Sequence, residues 1–354
     1  DITGISFEED VLANSYIDLN PSYDESQNAY PIRISVKEGT DMTSLAPIFE
    51  LTPGATISPA SGSVQNFTTP VRYTVTSEDK AWHRVYAITA REQKASNIPT
   101  TYHFEKVRIM QNVWQEFYEE QDSGNELTWA SGNKGFKWAM SEAATEDYPT
   151  TQIDNGKTGK CVKLETRLTG DLGNMVGMPI AAGNLFIGSF DMLNAITNPL
   201  SATRFGTPFY NKPLRLTGYY KYKAGEQFYE NGEYTSRKDI FNIYAIFYDG
   251  VKYDSAGKGT DVTLDGNLPN QNYEHSSMVA LALVSNPQET EGDEWKFFDI
   301  PFDYQRYGKK IDEARLAKGE YKIGIIFASS KDGATFEGAP GSTLLIDEVE
   351  LIYE

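Results

Sequence analysis

The chain has 354 residues, and its 32 Lys and Arg against 50 Asp and Glu give a formal net charge of −18 and a pI near 4.7. That balance excludes nucleic acid as a partner and argues against charge-driven binding to anionic membranes. Hydrophobic residues make up 40%, with 22 Tyr and 18 Phe, which excludes wholesale disorder, and no apolar run is long enough for a transmembrane helix.

In chain order, residues 32–37, 71–76 and 84–89 alternate apolar and polar side chains with a period of two, the signature of half-buried strands. Turn-forming pieces separate them, Thr52-Pro53-Gly54 and Ser58-Pro59-Ala60-Ser61-Gly62. This pattern predicts a small β-sandwich over residues 1–92. Residues 41–45 are predicted as a single helical turn with Thr40 as N-cap. Residues 91–101 are polar, contain Pro99 and carry no apolar period, so 93–101 is expected to be a linker.

From residue 102 onward the strand candidates are denser and more aromatic: 214–222, 240–248, 278–284, 295–300, 321–327 and 344–351. Several are apolar on both faces, as in the central strands of two packed sheets. A short helix is predicted over 311–318, ended by Gly319. Helices do not otherwise alternate with strands, so 102–354 reads as an antiparallel jelly roll.

The single cysteine, Cys161, excludes an intrachain disulfide and reads as a small inert core residue. Three histidines, His83, His103 and His275, lie near strand starts and are expected at the surface. The glycines of residues 169–177 lack the GK[ST] ending and the following helix of a phosphate loop. Glu116, Glu119, Glu120, Glu142, Asp293, Glu294, Asp312 and Glu313 lie in polar, loop-like runs, and no pair among them stands out for glycoside hydrolysis. Aromatic side chains are the other route to a sugar, because a pyranose presents an apolar C–H face that stacks on a ring. Trp129 and Trp138 flank the polar turn 131–135 beside Asn133, and Tyr219 and Tyr244 lie on long strands. These five residues are the candidate sugar-binding set. Lys134, Lys137 and Arg215 form a candidate basic patch for acidic glycans.

Residues 55–67 and the strand 71–76 resemble an immunoglobulin-like module that precedes functional domains in surface lipoproteins of Gram-negative gut bacteria. The rest is similar to the "putative carbohydrate metabolism domain" family of the same bacteria. The similarity lies in Trp129-Ala130-Ser131-Gly132-Asn133, residues 159–166, 182–188 and 218–222, and the long run 329–344. The resemblance implies a jelly roll like that of carbohydrate-binding modules and a role in glycan use, with no catalytic residues to carry over. It also implies anchoring at the cell surface by a lipid upstream of Asp1, or else a periplasmic location, with other surface glycan-utilisation proteins as partners. Jelly-roll binding modules hold calcium where the first and last strands meet, and Glu105 and Asp347 occupy the matching positions here. Calcium takes 6–8 oxygens, so backbone carbonyls and water would complete that shell. The expected function is non-catalytic binding of an oligosaccharide or polysaccharide. The alternatives are a glycoside hydrolase or lyase with a carboxylate pair on the jelly roll, and a structural or adhesion subunit. No cofactor is expected beyond the calcium.

Overall fold

The computed structural model describes every residue of the chain except Ser15 and Asp122. The chain is all-β and divides into two compact units, residues 1–95 and residues 96–353.

The first unit is a β-sandwich. Its larger sheet has the order Tyr30–Lys37, His83–Gln93, Val71–Thr76, Thr56–Ser58, and the first two strands run parallel with Ile32 opposite Ile88. A second sheet pairs Ile2–Ser6 with Ile48–Leu51. The period-two pattern places Ile32, Ile34 and Val36 inward, where they meet Tyr73, Val75 and Tyr86. Residues 41–45 form a turn rather than the expected helical one. Asp41 takes over the capping: its carboxylate accepts the Thr43 N–H at 2.9 Å and the hydroxyls of Thr43 and Ser44 at 2.7 Å. Short acceptors of this kind compete with helix hydrogen bonds.

The second unit is a larger antiparallel sandwich. One sheet has the order Thr150–Asp154, Lys160–Glu165, Thr343–Tyr353, Pro213–Lys223, Lys296–Pro301, with Thr101–Tyr102 pairing on the end of Thr343–Tyr353. The other has the order Asn184–Phe186, Tyr321–Ala328, Asn242–Asp249, Met278–Leu283, with Thr207–Pro208 beside Tyr321–Ala328. Between them lies a core that includes Leu216, Tyr220, Ile243, Phe247, Ile325 and Ile346. Residues 96–102 do not hang free as linker sequence would. Ile98 and Tyr102 are buried in this core, and Leu351 donates its N–H to Thr100 at 2.7 Å.

Strand Asn242–Asp249 is buried on both faces, as its composition predicts, but only one face meets the opposing sheet. Ile243, Ala245 and Phe247 enter the sandwich core, while Tyr244, Ile246 and Tyr248 point outward into a separate cluster with Phe186, Phe205 and Tyr273. Short strands Gly188–Phe190, Thr203–Phe205 and Leu264–Asp265 belong to the connections beyond this outer face. So do three short helices, α1 Asn133–Ala139, α2 Gly170–Met175 and α3 Met192–Thr197. The predicted helix at 311–318 is the single turn α4, Glu313–Leu316. Asp312 caps it by accepting from Ala314 N at 2.9 Å and Arg315 N at 3.1 Å, and Gly319 follows at φ +70°.

Candidate functional site

A cavity of about 170 Å³ lies between the outer face of the second sheet and the three short helices. Its floor is Phe186, Tyr244, Ile326 and Ala328, and its roof includes Phe136, Trp138, Phe190 and Met192. Among the described residues of the wall there is no Asp, Glu, His or Cys, and Lys331 is the one charged side chain.

Each part of the roof is fixed by local chemistry. The turn expected at 131–135 runs directly into α1. Asn133 is fully buried at the start of that helix, where its amide donates to Thr150 O at 2.7 Å and its carbonyl accepts Thr150 N at 3.1 Å. This places Asn133 outside the sugar-binding set, since its hydrogen-bonding capacity is spent on holding α1 to strand Thr150–Asp154. Asn184 holds the same helix from the other side, accepting Gly132 N at 2.7 Å. Within residues 169–177 the chain forms α2, Gly170–Met175, and Thr169 and Gly173 contribute to the cavity wall. Asp191 caps α3 by accepting from Leu193 N at 3.0 Å.

The two tryptophans separate. Trp129 is 1% exposed, with its ring 5.0 Å from Tyr102 and 5.7 Å from Phe104, between the two sheets. It is a core residue and cannot stack on a sugar. Trp138, on α1, is 37% exposed and sits at the cavity wall. Tyr244 is almost fully buried yet reaches the same cavity, and burial pushes its hydroxyl well above its ordinary pKa. Behind it Asn272 and Tyr273 both adopt positive φ, +52° and +60°. That conformation is uncommon for a bulky side chain and clusters at sites that need a group held in place. Here it sets the Tyr273 ring 5.2 Å from Tyr244 and its hydroxyl 2.9 Å from the Asn242 amide.

Tyr219 is elsewhere. It lies on strand Pro213–Lys223 of the first sheet, opposite Asp347 and Phe297, with its ring 5.2 Å from Phe297 and the Lys157 ammonium 4.8 Å from its centroid. The basic patch does not form either. Arg215 is ion-paired to Asp299 at 2.6 Å on the first sheet, whereas Lys134 and Lys137 belong to α1.

Sequence reading missed Asp239, which is 2% exposed. Its Oδ2 accepts from Ser330 Oγ at 2.6 Å, Ala339 N at 2.7 Å and Ser342 Oγ at 2.7 Å, and its Oδ1 accepts Ile240 N at 2.8 Å. Burial raises its pKa against these four donors. One carboxylate therefore clamps both ends of the run 329–344, whose Ser330, Lys331 and Phe336 border the cavity.

The candidate acids also sort themselves. Glu116, Glu119 and Glu120 lie on strand Trp114–Glu120 rather than in a loop, and Glu119 is buried, accepting Phe104 N at 2.7 Å. Burial raises its pKa. Cys161 is fully buried and its thiol is pushed up to about 12, chiefly by burial and then by Asp347. His103 and His275 are exposed, and His103 Nδ1 lies 3.0 Å from Glu348.

Glu105 and Asp347 converge on one loop, residues 155–160. Glu105 accepts Lys160 N at 2.7 Å and Asp347 accepts Thr158 N at 3.0 Å. A Cβ on Gly156 would lie 2.5 Å from Lys160 O and 2.7 Å from Asp347 Oδ2, and one on Gly159 would overlap Glu105 Oε1. Glycine at both positions thus leaves room for the Glu105 and Asp347 carboxylates against this loop. Among the described residues no group of three or more His, Cys, Asp or Glu is placed to hold a metal, so side chains alone do not make the site.

Residues 103–352 match the family described as "Putative carbohydrate metabolism domain", and residues 18–90 match the N-terminal domain of the SGBP family. A crystal structure described as a putative glycoside hydrolase from Bacteroides thetaiotaomicron is 44% identical over 100% of this chain and 96% of its own, with a TM-score of 0.65. Another so described, from Bacteroides vulgatus, is 50% identical over 73% of this chain and 100% of its own, with a TM-score of 0.68. No curated protein matches the chain.

Proposed function

Because the chain belongs to this family of carbohydrate-metabolism domains, we propose that it binds a glycan without cleaving it, at the cavity between Trp138 and Tyr244. The observation that carries the reading is an aromatic-lined cavity whose described wall contains no carboxylate. Hydrolysis by the usual route needs two carboxyl groups flanking the scissile bond. Binding needs apolar walls and a few fixed polar groups, which Tyr244, Asn242 and Thr203 supply. Trp138 is the stacking platform, and Asp239 holds the loop that carries Ser330 and Lys331 to the cavity. The match of residues 18–90 to the SGBP N-terminal domain supports work at the bacterial cell surface, beside other glycan-utilisation proteins. Lipid attachment upstream of Asp1 provides the anchor.

The test is calorimetric titration of purified protein with an oligosaccharide panel, alongside an assay for newly formed reducing ends. Binding that is lost in Trp138→Ala, with no reducing ends released, is the expected result. Release of reducing ends would transfer the protein to the hydrolase reading named for its two structural relatives.

Calcium is proposed as a structural ion rather than part of this site. Glu105 and Asp347 would hold it together with carbonyl oxygens of residues 155–160, pinning that loop to the first sheet. What supports the assignment is that both carboxylates reach the same short loop, at Lys160 N and Thr158 N.

A further inference from the structure

The polar groups of the cavity wall are few, and most are already engaged. Asn184 accepts Gly132 N at 2.7 Å and donates to Ala182 O at 3.4 Å. Thr169 donates to Met178 O, Ser330 donates to Asp239, and the Asn242 amide donates to Tyr273 at 2.9 Å. What stays available among the described residues is the Asn242 carbonyl, the hydroxyls of Thr203 and Tyr244, and the Lys331 ammonium. An unmodified sugar ring buried there would leave several hydroxyls without partners, at about 1–3 kcal/mol each.

Size points the same way. The cavity measures about 170 Å³. An apolar protein cavity of roughly 150 Å³ holds one benzene molecule. The space therefore suits a single ring or a short acyl group, and a glycan chain must remain outside it. The exposed apolar side chains Leu172, Met175, Val176, Leu193 and Ile196 sit on or beside α2 and α3, alongside Trp138 on α1. On a chain of net charge −18 such a concentration of exposed apolar surface marks a binding region.

We infer that the cavity receives an apolar substituent carried by the glycan, an aryl or acyl group in ester or ether linkage, while the sugar rests at the rim against Trp138. This inference rests on the glycan-binding reading and names what that site selects. The substituent fills the space between Phe186, Phe190, Tyr244 and Phe336 and brings no hydroxyl of its own to be desolvated. Undecorated sugar meets only the rim.

The experiment compares p-nitrophenyl glycosides with the methyl glycosides of the same sugars, and with p-nitrophenol alone, by calorimetric titration of the full chain. The aryl glycosides should bind at least about tenfold more tightly than their methyl counterparts, the order expected for burying one apolar ring. Ala328→Leu, which fills the floor, should erase that preference. Ala195→Leu, on α3 at the cavity wall, serves as a second filling variant if the first fails to fold, and the comparison on the parent protein decides the matter without either. Equal affinity for aryl and methyl glycosides would overturn the inference and leave the glycan reading standing. Binding of p-nitrophenol with no gain from an attached sugar would keep the apolar cavity and remove the glycan. Absence of binding by every probe would overturn both.

Discussion

Replacing Trp129 by alanine separates core from site more sharply than any other single change. The side chain is 1% exposed and touches Tyr102 and Phe104 from one segment of the second unit and Phe327 from another. Truncation removes the ring from the middle of the sandwich, and the β-strands on either side cannot collapse into the gap. Large-to-small changes of this kind cost about 3–5 kcal/mol. For a unit of this size each kcal/mol is worth roughly 2–4 °C, so the melting temperature should fall by about 6–20 °C. Differential scanning calorimetry is the assay, with Trp138→Ala as the companion. Trp138 is partly exposed at the cavity wall, so its loss should cost about 1 kcal/mol or less while abolishing ligand binding. Had Trp129→Ala melted like the parent and lost ligand binding, the assignment of Trp129 to the core would be wrong.

Asp239→Ala should destabilise the second unit by about 3 kcal/mol, because four donors lose a buried charged acceptor; proteolysis should then cut within 329–344, and an uncleaved, parent-like variant would show that the clamp is dispensable. Glu119 is a pH probe. Its carboxyl binds a proton more tightly folded than unfolded, so it favours the folded state in acid, and that stability is lost as pH rises from the ordinary glutamate pKa of about 4.3 through its raised folded value. Glu119→Gln keeps an acceptor for Phe104 N and should flatten this part of the melting profile; an unchanged pH dependence would refute the assignment. Chelator should lower the melting temperature of the second unit and added Ca²⁺ restore it, a response that Glu105→Ala removes; identical melts with and without chelator would eliminate the calcium.

The strands were legible because their alternation is a local property. Residues 71–76 form a strand with those same ends, since one inward face of Val71, Tyr73 and Val75 suffices to set it. The short helix at Asp312 was legible from its cap and from Gly319, although only one turn of it forms. The cavity was not legible. Its wall is assembled from Gly135, Thr169, Phe190, Tyr244, Ile326 and Phe336, which no sequence window contains. Trp129 and Trp138 flank the same short polar stretch, and nothing local says that a helix starting at Asn133 will turn one inward and the other outward. Glu119 and Asp239 were hidden for a related reason. Each sits among other charged residues, as in Arg237-Lys238-Asp239, so the buried member of the run looks like its solvated neighbours.

Strand Thr343–Tyr353 lies in the middle of its sheet, hydrogen-bonded to Lys160–Glu165 on one side and Pro213–Lys223 on the other, and to Thr101–Tyr102 near its end. A ribosome delivers it after every strand it pairs with. Until then the first sheet of the larger unit is split into halves with two open edges, and its core faces have no seam to close on. The smaller unit has no such dependence, because its last strand, His83–Gln93, emerges early. The two units therefore mature on different schedules, one able to fold during synthesis and the other waiting on long-range pairings that are slow to form. During that wait the larger unit lacks the strand that joins the two halves of its first sheet, and the sheet is complete only when that strand arrives.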